Sequence, residues 1–79
     1  MTTVDIEYCV PCGFRERAID VERAILAAVE GDIDRLTLTM GDHGVFVVRV
    51  DDEVIFDKDE HDYDVDEVAR RVRRACRAA

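Results

Sequence analysis

The stretch Val4-Asp5-Ile6-Glu7-Tyr8-Cys9-Val10-Pro11-Cys12-Gly13-Phe14 decides how this chain is read. Val4, Ile6 and Tyr8 alternate with polar residues, the period of a half-buried strand, and residues 3–8 are expected to form one. From Phe14 the period lengthens. Phe14, Ala18, Val21, Ile25 and Val29 recur every three or four residues, with Ile19, Leu26 and Ala28 widening an amphipathic helical face. Cys9 and Cys12 therefore stand at a strand-to-helix junction, close enough in sequence to bond to each other. A following helix directs unpaired N–H groups and the positive end of its dipole back at such sulfurs. These surroundings lower a thiol pKa from about 8.5 into a range of roughly 3.5 to 7.5. Reversible thiol–disulfide chemistry at Cys9 and Cys12 is the first expectation.

Working outward, the helix is expected from Gly13 to about Glu30, stopped by Gly31, which tolerates the left-handed conformation of many helix ends. A second strand is expected over residues 33–40, and Gly41-Asp42-His43-Gly44 as a turn. Val45 to Val50 is a nearly continuous apolar run, which predicts a central strand covered on both faces. Asp51-Asp52 then makes a tight turn into a hairpin partner over Glu53 to Asp57. Lys58 to Asp64 is so charged that an exposed loop is expected. Asp64 and Glu67 stand in a capping arrangement ahead of a last helix from Val65, whose apolar face carries Val65, Val68, Ala69, Val72 and Cys76. The order is β-α-β-β-β-α. A right-handed crossover makes the first two strands parallel, the hairpin adds antiparallel strands, and both helices fall on one face. The fold class is α/β: a compact thioredoxin-like arrangement with a mixed four-stranded sheet, one domain over residues 1–79.

Composition bounds the function. The 79 residues hold one modest core, and no apolar run approaches the ~20 residues of a membrane span. Met1-Thr2-Thr3-Val4-Asp5 has neither the basic start nor the apolar stretch of a secretion signal, so a cytoplasmic location is expected. Three cysteines are an odd number for a secreted disulfide scaffold. A bridge closing only Cys9 to Cys12 is worth roughly 2 kcal/mol of chain entropy, less than the ~3 of a 15-residue loop, which favours chemistry over stability as its purpose. Nineteen acidic residues against eleven basic ones, with Lys58 the only lysine, give a net charge of −8. That bias suits a protein kept soluble in concentrated salt, and a halophilic archaeal source is expected; an ordinary acidic protein is the plainer alternative. A broad nucleic-acid-binding face is not expected at this charge.

Other residues stand as candidates beside the pair. Zinc is the rival ligand for Cys9 and Cys12, with His43 or His61 completing the set, but there is no second Cys-x-x-Cys and the histidines lie far apart in sequence. Cys76, on an apolar stripe, reads as a small core residue rather than a third redox thiol. His43 reads as a turn residue with some prospect of approaching the pair, and His61 as solvated. The acidic run from Asp51 to Glu67 lacks the glycine and spacing of a calcium loop. The arginines of the last helix suit its C-terminal dipole without a partner. No cofactor site, phosphate-cradling loop or Ser-His-Asp set is expected.

The combination of Val4 to Tyr8, Cys9-Val10-Pro11-Cys12-Gly13-Phe14, the strand Gly44-Val45-Phe46-Val47-Val48-Arg49-Val50 and the hairpin residues Glu53-Val54-Ile55-Phe56 resembles the selenoprotein W-like (Rdx) family over nearly the whole chain. The resemblance implies a thioredoxin-like fold and a thiol-based redox role, with a thiol- or disulfide-bearing protein or a small thiol as partner. No nucleic-acid or membrane partner is expected at this charge and hydropathy, and a monomer is expected. The loop Gly41 to Gly44 is shorter than in many relatives. Pro11 is the single proline, so the cis-proline platform of thioredoxins has no counterpart. Thioredoxin logic makes Cys9 the nucleophile, whereas selenocysteine-containing relatives carry selenium at the position matching Cys12. Both remain candidates. A thiol–disulfide oxidoreductase and a redox-dependent interaction adaptor without turnover are both open, with a metal-binding domain behind them.

Overall fold

The structure is a computed structural model and describes residues 2–78; Met1 and Ala79, the ends of the single domain expected over residues 1–79, lie outside the described residues. The chain runs β1 (Thr3–Cys9), α1 (Arg15–Val29), a single 3-10 turn (Glu30–Asp32), β2 (Arg35–Gly41), β3 (Phe46–Val50), β4 (Glu53–Asp57) and α2 (Val65–Ala78). The sheet order is β2-β1-β3-β4. β1 pairs parallel with β2, as a crossover through α1 requires, and antiparallel with β3, which pairs antiparallel with β4. The expected element order and mixed sheet are those observed.

The two helices lie side by side on one face of the sheet. Beneath them Val4, Ile6 and Tyr8 of β1 and Phe46, Val48 and Val50 of β3 meet Ala18, Val21, Ile25 and Val29 of α1 and Val68 and Val72 of α2, all buried. Phe46 is the hub. Its ring makes edge-to-face contacts with Phe14 (6.1 Å), Phe56 (6.2 Å) and Tyr63 (5.8 Å), geometries favoured by the ring quadrupoles.

Several local expectations need correction. β3 is central, but no helix covers its second face: Val47 is buried there among neighbouring side chains, Arg49 reaches Asp5 (3.4 Å) and Glu7 (3.0 Å), and Thr39 donates to Asp5 (2.5 Å). Arg49 interrupts the apolar run to serve that polar face. Gly31 does not adopt a left-handed conformation. α1 tightens instead into the 3-10 turn, and extended Ile33 leads toward β2. The charged segment after β4 is not wholly exposed. His61 stacks on Phe56 with ring centroids 5.7 Å apart, its Nδ1 lies 3.2 Å from the backbone of Asp57, and Tyr63 packs on Phe46. His61 is therefore a structural plug rather than a solvated residue.

The last helix begins as expected. Asp64 Oδ1 accepts the N–H groups of Asp66 (3.0 Å) and Glu67 (3.1 Å). Glu67 does not reach back to complete a capping box. It accepts from Arg70 (3.0 Å) and Arg74 (3.2 Å), whose hydrogen bonds hold its carboxyl below the usual range. Asp51 and Asp52 both take positive φ (50° and 73°), the twist that a two-residue hairpin demands.

Candidate redox site

Cys9 is the last residue of β1 and belongs to the sheet: its N–H donates to Val45 (2.8 Å), and its C=O accepts from Phe14 (3.3 Å). The chain then leaves the strand in a turn closed by the Gly13 N–H on the Val10 carbonyl (3.1 Å). Pro11 presets the dihedral of a turn's second position. Gly13 follows with φ +77°, a left-handed residue that a side chain would strain. α1 starts two residues later, and no side chain caps it at Phe14. The turn thus places Cys12 beside Cys9, with Cα atoms 5.3 Å apart, and the two are joined by a disulfide.

The two sulfur-bearing residues are not equivalent. Cys9 is fully buried, at 0% exposure, while Cys12 is exposed on the turn. The sheet end beneath them is closely built: Gly41, paired with Cys9, accepts the Val10 N–H at 3.0 Å, and a Cβ on it would lie 2.8 Å from Val45 Cγ1. A groove of about 370 Å³ opens beside the turn, lined by Tyr8, Val10, Gly13, Arg15, Glu16 and Met40. Val10 and Met40 present much of their apolar surface there, at 48% and 74% exposure. Behind the turn Arg17 lies over the rings of Phe14 (5.0 Å) and Tyr63 (5.2 Å), and Lys58 lies 5.8 Å from Phe14. Burial pushes the Tyr63 hydroxyl above its ordinary pKa, Asp20 adds to the rise and Arg17 opposes it.

The other candidates fall away from the pair. Cys76 is half-buried on α2 and packs against the core. Burial raises its thiol pKa, and the charges of Asp32 and Asp51 add to the rise. Asp51 bonds Thr3 at the start of β1, so Cys76 belongs to the end of the sheet opposite Cys9. His43 is a turn residue with its ring in solvent, 2.6 Å from Asp42. Among the described residues, no three His, Cys, Asp or Glu side chains form a cluster able to hold a metal ion. No described helix is long and apolar enough to cross a membrane. The groove residues Val10 and Met40 were invisible as site residues in the sequence, where Met40 is one apolar member of a strand. Only the strand order, which puts β2 at the edge, exposes it.

The Rdx family model matches residues 3–74. The chain belongs to the Rdx family. A protein of Bordetella parapertussis has a similar structure, with a TM-score of 0.84 at 24% identity, covering 94% of this chain and 96% of that one. A selenoprotein W-related protein of Vibrio cholerae is similar at a TM-score of 0.84 and 18% identity, covering 95% and 96%. At these identities the likeness is one of fold. No curated protein matches the chain. Membership in the Rdx family points to a thioredoxin-like, redox-related function, and in this chain Cys9 and Cys12 are joined by a disulfide. None of these likenesses supports the halophilic archaeal source expected from composition.

Proposed function

We propose that this Rdx protein exchanges disulfides with a protein or small-thiol partner, and that Cys12 is the sulfur that meets the partner. The observation that carries this reading is the exposure of Cys12 against the complete burial of Cys9. Thiol–disulfide exchange requires a thiolate to approach a sulfur along the S–S axis, so only the accessible atom forms the mixed disulfide. In the dithiol form, the Cys12 thiolate attacks a partner disulfide. A Cys12–partner bond forms, and the partner's other sulfur leaves as a thiolate that takes a proton from solvent. Cys9, having lost its proton, then attacks Cys12 Sγ and expels the partner's second sulfur. Two electrons pass to the partner, and the Cys9–Cys12 bond is restored. In reverse, an external thiol attacks Cys12 Sγ and expels Cys9, a second thiol attacks the external sulfur of that mixed disulfide and expels Cys12, and the two thiols leave joined as a disulfide while the dithiol returns. The uncapped start of α1 directs unpaired N–H groups and the positive end of the helix dipole toward this end of the molecule.

The test is trapping. Cys9→Ser should accumulate a stable mixed disulfide through Cys12 with a disulfide-bearing peptide, resolved by intact mass, while Cys12→Ser should not. Turnover of a disulfide substrate by the wild type, coupled to a thiol reductant, marks the oxidoreductase. Redox-dependent complex formation without turnover marks the adaptor. Equal trapping by both variants would contradict the assignment of Cys12.

A further inference from the structure

Beyond disulfide exchange, and independently of it, we propose that β2 is a self-association edge that pairs antiparallel with β2 of a second copy about a two-fold axis through Leu38. β2 has no partner on its outer side among the described residues. The bond from the Val10 N–H to the Gly41 carbonyl sets the phase of its backbone. Gly41, Thr39, Thr37 and Arg35 turn their amide groups toward β1, so Leu36, Leu38 and Met40 turn theirs outward. An antiparallel copy centred on Leu38 sets Leu38 opposite Leu38 and Leu36 opposite Met40, and each such pair can exchange two main-chain hydrogen bonds.

The side chains are self-complementary in the same register. Leu36-Thr37-Leu38-Thr39-Met40 is close to a palindrome in polarity, so apolar meets apolar on the helix face and Thr37 meets Thr39 on the open face. Arg35 falls opposite Gly41 of the copy. Beside that glycine lie Val45 Cγ1 and Glu7 Oε2, 2.8 and 3.0 Å from where its Cβ would stand, so the arriving guanidinium comes alongside Val45 and shares the Glu7 carboxylate with Arg49, which bonds its other oxygen at 3.0 Å. One-residue slips would set threonines against leucines and lose the charge match. Surface is also left uncovered for such a partner. α1 lies over β1 rather than β2, leaving Leu36 and Leu38 half-buried and Met40 74% exposed. Ile19 and Leu26, on the flank of α1 that carries Arg15 toward Met40, stay half-buried outside the core cluster.

The opposite edge is protected by contrast. β4 pairs through a bulge at Val48/Arg49 and begins and ends on Glu53 and Asp57, the devices that keep edges from pairing. β2 has no bulge, proline or lysine. The result is an isologous dimer with an eight-stranded sheet and all helices on one side, in place of the expected monomer. With −8 on each chain, salt should promote it.

Sedimentation velocity of the full chain from micromolar to millimolar concentration, at low and at molar salt, tests the proposal. The expected result is a concentration-dependent shift from monomer to dimer, stronger in salt. Leu38→Pro removes an outward N–H that the monomer does not use, and Arg35→Glu sets like charges opposite each other. Each should weaken association roughly tenfold or more, and Arg35, being exposed, leaves folding intact. Hydrogen exchange should slow at Leu36, Leu38 and Met40 only in the dimer. A monomer at every concentration and salt would overturn the proposal, as would a dimer that survives Arg35→Glu with those three amides exchanging freely.

Discussion

Alkylation of the reduced chain offers the sharpest check on the inequality between its cysteines. Cys12 stands on the turn, so its sulfur needs no structural change to react. Cys9 must first be uncovered. Freeing the end of β1 breaks its N–H bond to Val45, the Phe14 N–H bond to its carbonyl, and the Val10 N–H bond to Gly41. Each is worth about 0.5–1.5 kcal/mol net, so the opening costs roughly 1.5–4.5 kcal/mol. At about 1.4 kcal/mol per factor of ten, Cys9 should react roughly ten- to a thousandfold more slowly than Cys12. Cys76 serves as an internal reference. Its raised pKa leaves it mostly protonated where an ordinary thiol begins to ionise, so its alkylation should lag near neutral pH and accelerate as pH climbs. Timed iodoacetamide quenching of the reduced protein, read by peptide mass spectrometry at several pH values, gives all three rates. If Cys9 reacts as fast as Cys12 in a chain whose circular dichroism is native, burial does not control access, and the assignment of Cys12 as the contact sulfur falls with it.

Two further outcomes follow from the fold. Asp64→Ala removes the acceptor for two N–H groups at the start of α2 and should cost about 1 kcal/mol, lowering the melting temperature by roughly 4–8 °C for a domain of this size; an unchanged melt would deny the cap its role. The melting temperature should also rise from dilute to molar salt as the net charge of −8 is screened, and a flat profile would argue against the salt adaptation read from composition.

Much of this protein is legible along the chain because its strands and helices announce themselves by local period. The alternation from Val4 to Tyr8, the helical stripe from Ala18 to Val29 and the capping aspartate at Asp64 depend on near neighbours, and the structure repeats them. So does the Cys-x-x-Cys pair, since a spacing of three residues constrains two sulfurs whatever surrounds them. Gly31 departs from its expected left-handed conformation because a glycine permits such a helix end without requiring it. His61 and Tyr63 lie deeper than the charge of their segment implies, because polarity in sequence is no measure of depth. Phe46 and Phe56 offered aromatic surface from other strands, and the two rings folded back onto it.

Sequence alone thus determined the elements, their order and the pair of sulfurs, all properties of residues close together in the chain. Tertiary structure alone decided which sulfur faces solvent and which strand lies at the edge. Cys9 is sealed by bonds to Val45, Phe14 and the segment beside Gly41, and Met40 is exposed because β1 rather than β2 pairs with β3. Apart from the Phe14 bond, those facts depend on contacts between segments more than thirty residues apart, which no local period encodes.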